Sequence, residues 1–270
     1  MTLTPEQKKF FETFGFLVFP GLLREDIEWI TQEFRAVFDD KGLAHSPDKR
    51  TCFVPFIDQR EKLNTLLDHA AITAIADGLL GEDFNYVGGD GNYYTGDTPW
   101  HSDGWHKPAG YMKIALYLDP VTKDSGALRV IPGTHRIDHE DWPARAAGQA
   151  EKLWGIAQSE VPSVALESNP GDVVAFNHNL MHASFGGSAQ RRMFTLNLCE
   201  HADTPDKIEG LQNYIGSHAR FWIDSLIGPT MLETASTERM KNLQQVIDNS
   251  AHLPALAEKA RAEMSESSNG

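Results

Sequence analysis

Cysteine is scarce: 270 residues hold only two, Cys52 and Cys199. Two cannot build a disulfide framework, and no CxxC pair suggests a zinc ribbon or a redox couple. Both read as small apolar packing residues. No run of about 18 or more apolar residues is present to span a bilayer. The opening MTLTPEQKKFFETFGFLVFPGLL lacks the basic start, unbroken apolar stretch and small-residue cleavage site of a secretory signal. That predicts a reducing, cytoplasmic setting. Basic charge is short as well, with 24 Lys and Arg against 38 Asp and Glu and a formal net charge of −14 spread along the chain. Nucleic acid and anionic membrane surfaces both demand a basic face, so neither fits as a partner. A small molecule does.

What is present is enough apolar side chain for a full core, 41% of the sequence, which predicts one domain over 1–270. Its first part, 1–83, reads as helical. Thr4-Pro-Glu-Gln7 is a capping box with Pro5 at the first helical position, starting a helix to about Thr13 whose Phe10, Phe11 and Phe14 face the core. Phe16 to Phe19 reads as a buried strand, and helices are expected from about Arg24 to Asp39 and from Glu61 to Leu80. From 84 to 200 the chain changes to short runs of β-branched and aromatic residues broken by Gly, Pro, Asp and Asn. Strands are expected at 86–87, 91–95, 111–118, 127–131, 163–167, 172–177 and 193–199, with a partly helical insertion from Trp142 to Gln158. This is an all-β core of jelly-roll type with helices around it. Helix returns over 205–264, and 265–270 reads as a disordered tail.

Three stretches carry chemistry. In Thr98-Pro-Trp-His-Ser-Asp-Gly104, His101 and Asp103 are two apart and leave the same face of an extended segment, so an imidazole nitrogen and a carboxylate oxygen can meet one ion. His182 stands just beyond the strand that follows the Pro170-Gly171-Asp172 turn. Two histidines and a carboxylate make the facial triad of non-haem iron(II) oxygenases, leaving positions for 2-oxoglutarate and O2. Arg191 and Arg192 open a later strand, and a buried carboxylate calls for a planar, permanently charged, bidentate partner. Ser184, two residues past His182, offers a hydroxyl to the same group. Taken singly each stretch is weak; their order and separation within one β-rich region make them strong together.

The chain resembles the phytanoyl-CoA dioxygenase family of iron(II)/2-oxoglutarate oxygenases. The resemblance lies in Phe10-Phe-Glu-Thr-Phe-Gly-Phe-Leu-Val-Phe19, the 98–104 stretch, Leu116-Tyr-Leu-Asp119, Gly126-Ala-Leu-Arg-Val-Ile-Pro-Gly-Thr-His-Arg136 and 171–198. It implies a double-stranded β-helix (a cupin-like jelly roll), with His101, Asp103 and His182 as iron ligands. It also implies Ser184 and one arginine on the far carboxylate of 2-oxoglutarate, and a structural His135. Two departures stand out. The turn 185–190 is shorter than usual, leaving both Arg191 and Arg192 as candidates, the first preferred. Ser102 occupies a position where many relatives carry glutamine. Relatives that halogenate lack the carboxylate, so Asp103 implies a hydroxylase or another oxidation instead.

Substrate recognition is expected from residues beside the metal. These are Asn92 and Tyr94, which can alternatively contact 2-oxoglutarate, Trp105 and His106 just after the motif, and Lys113 and Arg129 on neighbouring strands. A cover over the site is expected from 205–264 and from 50–60, which mix Phe53, Phe56, Phe221 and Trp222 with Arg50, Arg60 and Arg220. The alternatives are a non-oxidative cupin-like metalloenzyme and a catalytically silent binding protein on the same fold.

Overall fold

The computed structural model describes residues 1–104, 106, 109–136, 147–187 and 191–268. Strong local signals are obeyed. Thr4 Oγ1 accepts the Gln7 amide while the Gln7 side chain accepts the Thr4 amide. Helix α1, Pro5–Phe14, therefore starts on its capping box, and it ends at Gly15, whose φ of 85° suits glycine. Of its aromatic stripe only Phe11 is buried. Phe10 and Phe14, four residues apart, share a different face and pack on each other at the surface, with ring centroids 4.7 Å apart. Helix α2, Ile27–Asp40, buries Ile30, Phe34, Val37 and Phe38.

The single helix expected over 61–80 is three pieces: α3 Glu61–Asn64, a 3₁₀ turn Thr65–Asp68 and α4 Ala70–Leu80. His69 makes the break, with an extended backbone and an Nδ1 that accepts the Ala71 amide as an N-cap. The apolar rhythm runs across the break because Leu63, Leu66, Leu67, Ile72 and Ile75 all reach one core.

The strands are β1 Phe16–Phe19, β2 Thr51–Phe53, β3 Asn85–Tyr86, β4 Gly91–Tyr94, β5 Thr98–His101, β6 Tyr111–Tyr117, β7 Leu128–Val130, β8 Val164–Leu166, β9 Val173–Asn177, β10 His182–Ser184 and β11 Arg191–Cys199. A larger sheet runs β1-β9-β6-β11-β4-β2, with β3 also on β11, and a smaller one runs β5-β10-β7-β8. Every pairing is antiparallel. The two sheets face each other as a double-stranded β-helix. Between them lie Tyr117, Leu128, Val130, Val174, Phe176 and Met193. On the far side of the larger sheet Phe194 packs against Phe34 and Phe56. It is fully buried, which stabilises the fold by roughly 1.5–3 kcal/mol. Along β11 the odd positions Arg191, Met193, Thr195 and Asn197 therefore face the barrel interior, while Phe194, Leu196 and Leu198 face the helices.

Beyond the barrel come α5 Ala150–Trp154 in the insertion, whose residues 142–146 lie outside those described, and α6 Pro205–Ser217 with a 3₁₀ turn His218–Phe221. Then follow α7 Pro229–Thr234, α8 Thr237–Asp248 and α9 Leu253–Glu263. Buried Asp58 ties this part to the barrel by accepting from Tyr86 Oη at 2.7 Å and the Gly228 amide at 2.8 Å. The tail expected to be disordered is docked as far as 268: Glu266 pairs with Lys49, and the Ser268 amide donates to the Arg220 carbonyl. Residues 269–270 lie outside those described. Both cysteines are free thiols. Among the described residues no helix is long and apolar enough to cross a membrane.

Candidate active site

Strand β5 ends on His101 and its neighbour β10 begins on His182, so the antiparallel register sets the two imidazoles side by side, ring centroids 4.2 Å apart. Asp103 follows two residues on, positioned by its amide, which donates to the His178 carbonyl at 2.9 Å. One of its carboxylate oxygens lies 3.8 Å from His182 Nε2, and donor atoms from the three residues lie within 4.8 Å of one another. His101 Nδ1 sits 2.8 Å from the Pro99 carbonyl, and His182 Nδ1 the same distance from that of Leu180. A carbonyl can only accept, so each Nδ1 carries its hydrogen and each Nε2 keeps its lone pair. Imidazoles that bind metals are oriented in this way. The donor set fits a divalent ion of the iron class.

Electrostatics keep His182 and Asp103 deprotonated. Burial, with His101 beside it, pushes His182 down to about 3. Burial acts to raise the Asp103 carboxyl, but Lys113 and the surrounding histidines outweigh it and hold the group well below the usual carboxylate range. Lys113 Nζ stands 2.9 Å from Asp103 Oδ2.

These groups open on a cavity of about 730 Å³. Of the expected substrate residues, it is lined by Arg50, His106 and Lys113, and Tyr94 lines it too. His106 stacks on Tyr111 with centroids 4.2 Å apart, and its amide donates to Asn179. Asn92 is fully buried behind Arg50, accepting from its Nε and Nη2. Trp105 lies outside the described residues. Two expected contacts are not made. Arg129 alternates with inward-facing Leu128 and Val130, so it points out of the barrel and donates to the Ser159 and Lys123 carbonyls. Arg60 is held by Glu33 and Asp40, each at 2.7 Å, away from the cavity.

The cover is equally divided. Tyr214, Ser217, His218, Arg220 and Phe221 line the cavity from α6 and the turn after it, with Arg50 and Val54 from the other segment. Phe53, on β2 opposite Gly91, and Phe56, packed on Phe34 and Phe194, instead belong to the helix-side core. Trp222 is turned aside by its left-handed backbone, φ 59°.

Arg191 and Arg192 part ways. Arg192 faces outward and is paired with Asp119 at 2.5 Å. Arg191 is buried inside the barrel, opposite Tyr94 in register, with its guanidinium carbon 4.9 Å from that ring and with Nε and Nη1 unpartnered. Ser184 Oγ donates to the Gly126 carbonyl nearby. Gly126 has a φ of 92°, and a Cβ there would meet Arg191 Nη1 at 1.7 Å, so only glycine lets the guanidinium past. Elsewhere in that block Thr134 Oγ1 accepts the Met181 amide, bracing the residue before His182, and His135 Nε2 meets the Glu12 carbonyl.

Sequence reasoning missed Asp90, His178, Asn197 and Asn213, all of which line the cavity. Asp90 sits in a Gly-rich stretch that carries no site signal. His178 was visible four residues before His182, but only tertiary packing buries it. Burial pushes His178 to about 3 and His218 to about 4, below the ordinary histidine value of about 6.5. The unfolded chain therefore binds more protons than the folded one, and these groups withdraw stability as pH falls from about 6.5 towards their folded values. Asp58, pushed up to about 6 by burial, acts in the opposite sense but is a single group. The metal-free protein should melt at a clearly lower temperature at pH 5 than at pH 7.5, and His178→Gln should flatten part of that slope. Equal melting temperatures at the two pH values would contradict the burial of neutral histidines.

The sequence profile of the phytanoyl-CoA dioxygenase (PhyH) family matches residues 11–194. An L-proline trans-4-hydroxylase from Streptomyces griseoviridis is 30% identical over 130 residues, 36% of this chain and 46% of that protein. The chain thus spans less than half the length of that relative. The structure of EctD from S. alaskensis with bound Fe superposes with a TM-score of 0.58 at 22% identity, over 73% of this chain and 77% of that one. HygX from Streptomyces hygroscopicus, with nickel and 2-oxoglutarate bound, gives 0.59 at 19% identity, over 74% and 88%. At these identities the structural likeness is one of fold.

Proposed function

The chain belongs to the phytanoyl-CoA dioxygenase family, and on that premise we propose that it is an iron(II)- and 2-oxoglutarate-dependent dioxygenase that hydroxylates a small-molecule metabolite. The observation that carries this reading is the convergence of two Nε2 lone pairs and the Asp103 carboxylate at one end of the cavity, with each Nδ1 locked to a carbonyl. His101, Asp103 and His182 would hold the metal. Arg191, with Ser184 beside it, would take the far carboxylate of 2-oxoglutarate, a role its buried and unpartnered nitrogens suit better than the outward-facing Arg192. Tyr94 stacks on that guanidinium and orients it. Bound iron(II) would couple the O2-dependent conversion of 2-oxoglutarate to succinate and CO2 with insertion of one oxygen atom into the substrate.

The chain's own residues then bind and shield. Tyr214, His218 and Phe221 close the cavity from the C-terminal side, excluding water from the reacting groups. The barrel and the helices on both sides of it act as one oxygenase domain. The named relatives act on or bind small polar molecules: L-proline for the hydroxylase, 2-oxoglutarate for HygX. Anaerobic addition of iron(II) and then 2-oxoglutarate should produce a weak visible charge-transfer band, and a substrate screen should find succinate release dependent on iron. Metal binding without that band or any 2-oxoglutarate turnover would favour a non-oxidative metalloenzyme. Absence of metal binding would favour a silent scaffold.

A further inference from the structure

Arg191 stands opposite Tyr94 in the β4–β11 register, and extending the Thr51↔Tyr93 pairing by one residue sets Arg50 opposite Tyr94 on the other side. The three form one row across β2, β4 and β11, with guanidinium carbons 4.1 Å (Arg50) and 4.9 Å (Arg191) from the Tyr94 ring centre. Tyr94 therefore stands between two cationic regions. The one at Arg191 is taken by the cosubstrate in the reading above. The other contains Arg50, Lys113 and, across the cavity, Arg220.

The fixed charges of the two regions together do not balance once the site is loaded. Arg50 is tied to Asp90 at 3.3 Å. Lys113 faces Asp103, the proposed metal ligand, at 2.9 Å. With a divalent ion on the triad and a dianionic cosubstrate on Arg191, the positive charges of the ion, Arg50, Lys113 and Arg191 exceed those of Asp90, Asp103 and the two cosubstrate carboxylates by one. An uncompensated buried charge is costly, and a partner is needed. Arg220 adds a second cation: it stacks over Phe221 at 4.7 Å and makes no ion pair among the described residues. Independently, both ring nitrogens of His178 and the Oδ1 of Asn197 line the same cavity buried and unpartnered.

Resting on the oxygenase reading, we propose that Lys113 and Arg220 form an anion-binding subsite for the prime substrate, which is a small acid bearing one carboxylate or comparable oxyanion. His178 offers a ring N–H to that anion, while Asn197 Oδ1, an acceptor, takes a hydrogen bond from a donor elsewhere on the substrate. A neutral or purely cationic metabolite leaves the excess charge in place and is selected against.

The test is calorimetry on the full chain loaded anaerobically with nickel(II) and 2-oxoglutarate, each titration recorded first, in a buffer of weakly coordinating anions. Acetate and sulfate are then titrated, with acetamide and methylammonium as neutral and cationic counterparts. At least one anion should bind saturably, the counterparts should not, and Lys113→Met and Arg220→Met should each weaken the anion at least tenfold. Arg60→Met, away from the cavity, should leave it unchanged. Arg220 is exposed, so its variant keeps the test meaningful even where Lys113→Met folds poorly. Anion affinity unchanged in Arg220→Met, or acetamide binding as well as acetate, overturns the subsite. Binding of nickel and 2-oxoglutarate without any anion binding overturns the subsite alone. Failure of nickel or 2-oxoglutarate to bind overturns the oxygenase reading and the subsite with it.

Discussion

Replacing His182 with alanine should abolish divalent-metal binding and, with it, iron-dependent turnover. His182 is buried on β10 between β5 and β7, and its Nε2 faces Asp103 Oδ2 because Nδ1 donates to the Leu180 carbonyl. Among the described residues no other imidazole occupies that position, so two ligands remain and the facial set is broken. Loss of a group that merely supports a ligand typically costs about 10- to 100-fold in metal affinity, and removal of the ligand itself should exceed that. Metal titration by calorimetry measures the loss directly. Melting offers a second readout, since a ligand that binds only the folded state raises its stability. Metal should raise the melting temperature of the unaltered protein and leave that of His182→Ala where it was. A His182→Ala protein with near-native metal affinity would show that the triad is not the metal site.

Arg191→Met should raise the 2-oxoglutarate requirement far more than the metal requirement. Truncating one partner of a desolvated, charge-assisted contact costs about 2–5 kcal/mol, roughly 30-fold to several thousandfold in affinity. The same change removes a buried cation whose Nε and Nη1 lack partners. Thermal stability without cosubstrate should therefore hold or rise, because a buried charge lacking full compensation is replaced by a packed apolar chain. Arg192→Met should show the reverse pattern: it breaks the pair with Asp119 and leaves 2-oxoglutarate affinity near that of the unaltered protein. Equal effects of the two substitutions on 2-oxoglutarate binding would refute the assignment of Arg191.

How much of this was legible beforehand differs from element to element. The capping box at Thr4, the stop at Gly15, the short apolar and aromatic runs of β6, β9 and β11 and the proline start of α6 all act within a few residues, and their helices and strands formed where expected. By contrast β5 and β10, which carry the two candidate imidazole ligands, were not among the expected strands. One begins Thr-Pro and the other is only His-Ala-Ser, and they are strands because β10 is held between β5 and β7. The break at His69 was hidden for a similar reason. Apolar residues on both sides keep one rhythm, since both sides pack on one core.

The sequence by itself determined that His101 and Asp103 stand two apart, near enough to serve one ion, and that a histidine and an arginine-led strand follow in the same β-rich region. Residue type and a spacing of two settle that much, because the backbone's own geometry does. Which arginine faces inward, why Arg50 lines the cavity and Arg60 does not, and that His178 is buried beside the triad were decided only by the tertiary structure. Both faces of β11 are buried, so alternation of polar and apolar residues could not say which is the barrel interior. The answer came from register against β4 and β6, strands about 100 and 80 residues away in sequence. A charged side chain's role depends on which acid meets it. Glu33 and Asp40 claim Arg60 on the outside, Asp119 claims Arg192, and Arg191 is left with two guanidinium nitrogens unpartnered in the interior.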